Sequence, residues 1–135
     1  EEVMAAFNRF QPAGVSEAVA ILEHYGSKAA LFDGGSDLLG WLKDRLRMEQ
    51  HEEEVDMQKI SGLNQNRILD GDLRIGATAT LTEISESDLV KTVCPALAEA
   101  ARRTASPLLR NMGTIGGNIC QENRCWFYRY PDKLG

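Results

Sequence analysis

Residues 110–118 read Arg-Asn-Met-Gly-Thr-Ile-Gly-Gly-Asn, which gathers three glycines, a hydroxyl and two side-chain amides within nine positions. Without a Cβ, glycine lets a ligand approach main-chain N–H groups closely and lets the backbone take positive φ. Thr114 and Asn118 add side-chain hydrogen bonds for an anion or a hydroxyl. A second such turn, Asp33-Gly34-Gly35-Ser36-Asp37, lies between an apolar run and a helical pattern. One glycine pair alone is satisfied by turn geometry or close strand packing. Two of them, each beside a helix, are the parts of a cradle that converges on one phosphate-bearing ligand. No Ser/His/Asp order, zinc-type His pair or phosphate-binding Lys motif accompanies them, so the chemistry read here is binding rather than bond making.

The elements that must carry these turns follow from the patterning on either side. Residues 7–12 read as a short strand, followed by a helix that Ser16 caps, with Glu17 in its first turn and Gly26 just past its end. Val15, Val19, Ile21 and Leu22 supply the apolar side of that helix. Ala29-Ala30-Leu31-Phe32 reads as a buried strand feeding the first glycine turn, and residues 37–47 as the helix that leaves it. Strand, turn and helix in that order present N–H groups at the positive end of a helix dipole. Residues 49–54 hold four glutamates around His51 and read as a solvated loop or helix end rather than a metal site; His24 reads as a surface residue near a helix end. Short strands are expected over 55–57 and 67–69, separated by a polar turn over 62–66, then a tight turn at Gly71-Asp72 into a strand over 73–77. Thr80 or Thr82 opens a short helix, and Asp88 a longer one to about Arg103, interrupted at Pro95. This alternation divides the chain into lobes over 1–70 and 71–135, with one glycine turn in each.

Composition narrows the partners. A chain of 135 residues that is 43% hydrophobic supports one globular core. A net charge of -5 and a pI near 5.0 argue against a nucleic-acid or anionic-membrane surface. No apolar run approaches the ~20 residues that span a bilayer, and Glu1-Glu2 is not the basic start of a signal peptide. Three cysteines do not make a secreted disulfide scaffold, so the expected setting is cytoplasmic.

The two turns and the sequence between them resemble the FAD-binding subunit of the molybdenum hydroxylases, the xanthine dehydrogenase family. Its first flavin loop reads Ala-Gly-Gly-Thr-Asp-Leu, answered by residues 33–38, and its second reads Arg-Asn-x-(Gly/Ala)-Thr-Ile-Gly-Gly-Asn, answered by residues 110–118. Residues 73–80 resemble the family's Ile-Gly-Ala strand, residues 94–101 its helix before the second loop, and the likeness extends over 7–130. It implies an α+β, two-lobed FAD-binding fold of the PCMH type. A small parallel βαβ lobe is followed by the start of a larger antiparallel α+β lobe, incomplete at the C-terminus. FAD is then expected in the crevice between the lobes. Phe32, Asp33, Gly34, Gly35, Ser36, Asp37 and Leu38 form its pyrophosphate loop, and Thr114, Ile115, Gly116, Gly117 and Asn118 meet the pyrophosphate and ribityl side. Thr104 and Ala105 match a helix-end pair that lies against the flavin. Asp33 departs from the small neutral residue usual there, and a carboxylate aimed at a pyrophosphate costs affinity unless it points away. Ser36 keeps the hydroxyl of the usual threonine.

What the resemblance implies about function is an electron-transfer subunit of a molybdopterin-dependent oxidoreductase, with no catalytic residue on this chain. Substrate reacts at molybdopterin on a large partner subunit, two-iron clusters on a small subunit carry the electrons, and FAD exchanges them with an external carrier. The alternative is a non-catalytic assembly module that keeps the lobe without flavin, a difference visible as absorbance near ~450 nm. Residues 118–128 further resemble the 4-hydroxybenzoyl-CoA reductase branch, in which a loop with four cysteines binds a four-iron cluster. By position Cys125 matches the first ligand, with the others beyond Gly135, and Cys120 is expected to be a packed thiol. Trp126, Phe127, Tyr128 and Tyr130 are expected to be packing or subunit-interface aromatics rather than a flavin cage.

Overall fold

A computed structural model describes residues 7–40, 52–123 and 125–130. Three short strands, β1 (Asn8–Phe10), β2 (Ala29–Phe32) and β3 (Glu53–Asp56), form a parallel sheet in the order β1-β3-β2. Helix α1 (Val15–Tyr25) crosses from β1 towards β2 and packs Ala18, Ile21 and Leu22 over Val55 and Ile60. These three positions are spaced i, i+3, i+4 and so share one face. Val19 falls off that face, and Val15, on the same side but at the first position of the helix, is exposed as well, which corrects the apolar side read from sequence. The helix also starts one residue before Ser16: Gly14 is its N-cap without a side-chain bond, and Glu17 accepts the Ala13 N–H at 2.8 Å instead.

The larger correction concerns the acidic run. Glu53 and Glu54 are not solvated; they are buried in the central strand, because β3 has neighbours on both edges. Hydrogen bonds offset part of the cost of burying such groups. Asn8 Nδ2 donates to Glu53 at 3.1 Å, while Arg9 and Gln11 donate to Asp56 at 2.7 and 3.0 Å. Burial opposes Asp56 ionisation, yet bonds from the Gln58 N–H, Gln11 and Arg9 outweigh it and hold that carboxyl below its usual range. Glu54 goes the other way: burial pushes it up, Arg9 opposes and Asp56 adds to the rise. His51, Glu49 and residues 41–47 of the expected helix lie outside the described residues; a helical turn begins at Leu38.

In the second half, β4 (Asn66–Leu69) and β5 (Asp72–Ile75) pair antiparallel. Asp70 and Gly71, both at positive φ (53° and 86°), make the two-residue turn, so it lies one position earlier than Gly71-Asp72. Thr80 and Glu83 form a capping box that opens α2 (Leu81–Glu86). Ser87 rather than Asp88 caps α3 (Asp88–Val93), Pro95 starts α4 (Pro95–Arg103), and α5 (Pro107–Met112) follows, capped by Ser106. Ala79, Leu81, Ile84, Val90, Ala98 and Ala101 make the core of this half, and full burial of a side chain such as Ile84 or Val90 contributes about 1.5–3 kcal/mol. Its purpose for the site is to hold α5 and the chain after it. Two short helices close the described chain, α6 (Ile115–Ile119) and α7 (Trp126–Arg129). No helix among the described residues is long and apolar enough to cross a membrane.

Candidate functional site

The first glycine turn leaves the C-terminal end of β2, where Phe32 is buried and Gly35 takes φ 69°. A Cβ on Gly35 would meet the Phe32 ring at 2.8 Å and Leu39 at 3.1 Å, so Gly35 is required both for its conformation and for its space. Among the described residues, the N–H groups of Gly34, Gly35 and Ser36 donate no hydrogen bond. Three successive free amides, one at a left-handed residue, form a concavity that complements an anion.

The second turn is sewn to the segment before α2. Leu81 N–H donates to the Gly113 carbonyl at 2.9 Å, Ile115 to Ala79 at 2.9 Å and Gly116 to Ala77 at 2.8 Å. Thr114 is the N-cap of α6, accepting the Gly117 N–H at 3.2 Å. A Cβ on Gly116 would stand 2.8 Å from the Ala77 carbonyl oxygen. At exposed Gly117 it would meet only the Thr114 hydroxyl, at 3.1 Å. Gly116 is therefore glycine for the protein's own packing, while the space over Gly117 is open to a ligand.

The two turns touch. A Cβ on Gly34 would lie 2.8 Å from the Met112 carbonyl carbon and 3.2 Å from Gly113 Cα, closer still to the Met112 oxygen. Around Gly113 the same construction finds Ser36 Oγ at 3.6 Å and Asn118 Nδ2 at 3.9 Å. The free amides of the first turn, the Ser36 hydroxyl and the Asn118 amide thus meet over one junction between the lobes.

The family model for the "FAD binding domain in molybdopterin dehydrogenase" matches residues 5–125. This chain belongs to that family. It is 41% identical to the carbon monoxide dehydrogenase medium chain of Hydrogenophaga pseudoflava over 113 residues, 84% of this chain and 39% of that one. It is 34% identical to the nicotinate dehydrogenase FAD-subunit of Eubacterium barkeri, covering 86% of this chain and 39% of the relative. The chain thus spans about two fifths of the length of these relatives. A solved carbon monoxide dehydrogenase from Hydrogenophaga pseudoflava superposes with TM-score 0.81 at 39% identity, covering 87% of this chain and 40% of that one. The likeness fits the mixed α and β fold, with its parallel sheet and antiparallel pair.

Within this FAD-binding family fold, the remaining residues singled out by sequence divide by what they touch. The Asp37 carboxylate accepts the Glu122 N–H at 3.0 Å and faces Arg129 at 2.8 Å in a largely buried ion pair, 16% and 15% exposed. It straps the chain after α6 to the first turn, a link across 92 positions that no spacing rule announces. Phe32 supports Gly35 from below, with the Arg9 guanidinium 5.0 Å from its ring centre. Leu38 is half-buried, and Ile115 packs on the core of the second half. Thr104 ends α4, and Ala105 follows at φ 49°; Arg110 donates to both carbonyls, at 3.0 and 2.9 Å. Asn111 binds the Thr82 hydroxyl at 2.6 Å, which accounts for a motif residue that the sequence left without a role.

Asp33 lines a cleft of about 340 Å³ at the junction, together with Lys59, Asn64, Thr80, Glu83 and Thr114. Both its carboxylate oxygens are buried without a well-formed hydrogen bond, and Gln58 holds its carbonyl at 2.8 Å. Burial pushes the Asp33 carboxyl up; the nearby Thr114 hydroxyl opposes this and the Asp56 charge adds to it. One thiol departs from expectation. Cys120 is exposed, not packed, because it is the C-cap at the open end of α6, and Cys125 is exposed at the N-cap of α7. Trp126, Phe127 and Tyr128 are exposed as well, and the Tyr128 hydroxyl donates to Glu122 at 3.2 Å. Among the described residues, no group of three or more His, Cys, Asp or Glu is gathered to hold a metal.

Proposed function

We propose that this chain holds the FAD of a molybdopterin-dependent oxidoreductase and serves electron transfer between iron-sulfur clusters and an external carrier. The observation that carries the reading is the junction itself: free amides of Gly34, Gly35 and Ser36 beside Ser36 Oγ, Asn118 Nδ2 and the open face of Gly117. When bound, FAD supplies the exchange of electron pairs with a carrier for single electrons with clusters. The chain's own part is to bind and orient it. In this reading the pyrophosphate takes the Gly34 to Ser36 amides, Thr114 to Asn118 flank it, and Thr104 and Ala105 face the flavin, with the lobes divided as 1–70 and 71–135. The relatives are named as medium chains and FAD subunits, which supports partners of two kinds, a molybdopterin-binding large subunit and a two-iron small subunit. Three free cysteines are in keeping with a cytoplasmic setting. In this reading Cys125, exposed at the N-cap of α7, supplies one of the four cysteine ligands that a four-iron cluster takes.

Gly117→Asp in the natural protein tests the assignment. It adds a Cβ and a negative charge where backbone and phosphate meet. An acid in the first turn of α6 suits the helix dipole, so the fold is expected to persist. FAD titration followed by flavin fluorescence should show binding lost while the apoprotein melts as before. Unchanged FAD affinity removes the junction as the pyrophosphate site.

A further inference from the structure

An arginine beside two glycine turns invites the role of phosphate ligand, but its geometry here is different. Arg110 Nη1 donates to the Thr104 carbonyl at 3.0 Å and to the Ala105 carbonyl at 2.9 Å. These are consecutive acceptors at the C-terminal end of α4, where a cation is favoured by the helix dipole. Between them lies a strained backbone. Ala105 has φ 49°, and the only other non-glycine residue at positive φ among the described residues is Asp70, in the hairpin turn. An alanine has no side-chain polar group to compensate that conformation, so its surroundings must impose it. Ser106 then caps α5, the helix that carries Arg110 itself.

We infer that Arg110 is a positioning residue: it clamps the corner between α4 and α5, and through α5 it sets where the second glycine turn meets the first. The lever is short. Two residues beyond Arg110, the Met112 carbonyl packs on Gly34, and the next carbonyl, of Gly113, accepts the Leu81 N–H at 2.9 Å. A corner that relaxes to negative φ redirects α5, so the contact with Gly34 and the position of the Thr114 to Asn118 amides move with it. Both bonds leave the single nitrogen Nη1 at the tip of the guanidinium, and a lysine ammonium on its shorter stem does not reach the same point.

This inference rests on the FAD reading above, and the test separates the two. The natural flavoprotein, stripped of flavin and retitrated with FAD, is compared with Arg110→Ala, Arg110→Lys and each of these combined with Ala105→Gly. Readouts are Kd from flavin fluorescence and the visible circular dichroism of the bound flavin. Both single variants should bind on the order of tenfold more weakly with an altered visible spectrum. Ala105→Gly removes the steric cost of positive φ; because Ala105 itself faces the flavin in the reading above, the Ala105→Gly single variant is the reference, and either double variant should bind within about threefold of it with the same spectrum. A direct phosphate contact gives the opposite pattern: Arg110→Lys near wild type and no rescue by glycine. That pattern, or variants indistinguishable from wild type, overturns the clamp while leaving FAD binding intact; a wild type that takes up no flavin overturns the FAD reading and the clamp with it. If Arg110→Ala does not accumulate, the Arg110→Lys pair decides by the same criteria.

Discussion

Gly34→Ala probes the contact between the two turns more directly than any change at the ligand side. The added methyl would lie 2.8 Å from the Met112 carbonyl carbon and 3.2 Å from Gly113 Cα, and nearer to the Met112 oxygen. All three are backbone atoms, so no side-chain rotation relieves the overlap, and the turns must part by roughly 1 Å to restore ordinary contact. Overpacking of this kind costs about 1–3 kcal/mol, and at about 2–4 °C per kcal/mol the apoprotein should melt several degrees lower. Parting the turns also separates the Gly34 to Ser36 amides from Asn118. Losing one charge-assisted hydrogen bond, worth about 1.5–3 kcal/mol, raises the FAD Kd by about tenfold or more. The control is Gly117→Ala, where the new Cβ meets only the Thr114 hydroxyl at 3.1 Å. Its apoprotein should melt within a degree or two of wild type, because alanine also favours the helix, while its FAD affinity falls. Differential scanning calorimetry of the two apoproteins and FAD titration of both check the pair. A Gly34→Ala protein with wild-type melting and wild-type Kd would refute the reasoning that the turns are in backbone contact.

Three further outcomes follow from the charges and thiols. Asp33→Asn should strengthen FAD binding at pH 7 by several-fold, since a carboxylate in the phosphate turn repels the ligand; because burial raises the Asp33 pKa, wild type should approach the variant as pH falls through that raised value towards 3.8, and parallel pH profiles would contradict this. The same sign holds for stability: a raised carboxyl costs the fold progressively as pH rises from 3.8 through the folded value. Asp37→Ala removes the acceptor of the Glu122 N–H and of Arg129, a largely buried pair whose loss costs about 2–4 kcal/mol; limited trypsin digestion should cut near Arg129 markedly faster, and an unchanged rate would show that the strap is not what holds this segment. Cys125→Ser in the natural complex should lower iron content with FAD retained, whereas Cys120→Ser should alter neither; iron and sulfide accounted for entirely by two-iron clusters would make Cys125 an ordinary thiol.

The parts of the site that repeat a local pattern were legible in the sequence. The short helix was read as opening at Thr80 or Thr82, and the capping box of Thr80 with Glu83 decides for Thr80, while the second turn lies where its motif places it. The central strand was half legible: a strand was read over 55–57 and β3 spans Glu53–Asp56, but the burial of Glu53 and Glu54 was not, because these residues carry no apolar alternation and the partners of this strand, such as Asn8 and Arg9, lie more than forty positions away. The glycines were half read. Sequence gives the type but not which atoms fill the missing Cβ, and at Gly34 and Gly116 those atoms belong to the protein rather than to a ligand. Asp37 shows the same limit. A residue within a loop motif spends its carboxylate on Glu122 and Arg129, a long-range pair without sequence spacing to reveal it.

The absorbance spectrum of the natural protein, recorded as isolated and again after denaturation to release flavin, tests the central claim most directly. The account predicts oxidised-flavin absorbance near ~450 nm with one FAD released per chain, lost in Gly117→Asp. A folded protein without that band, and with no FAD taken up on reconstitution, would contradict it and leave a lobe that serves assembly without flavin.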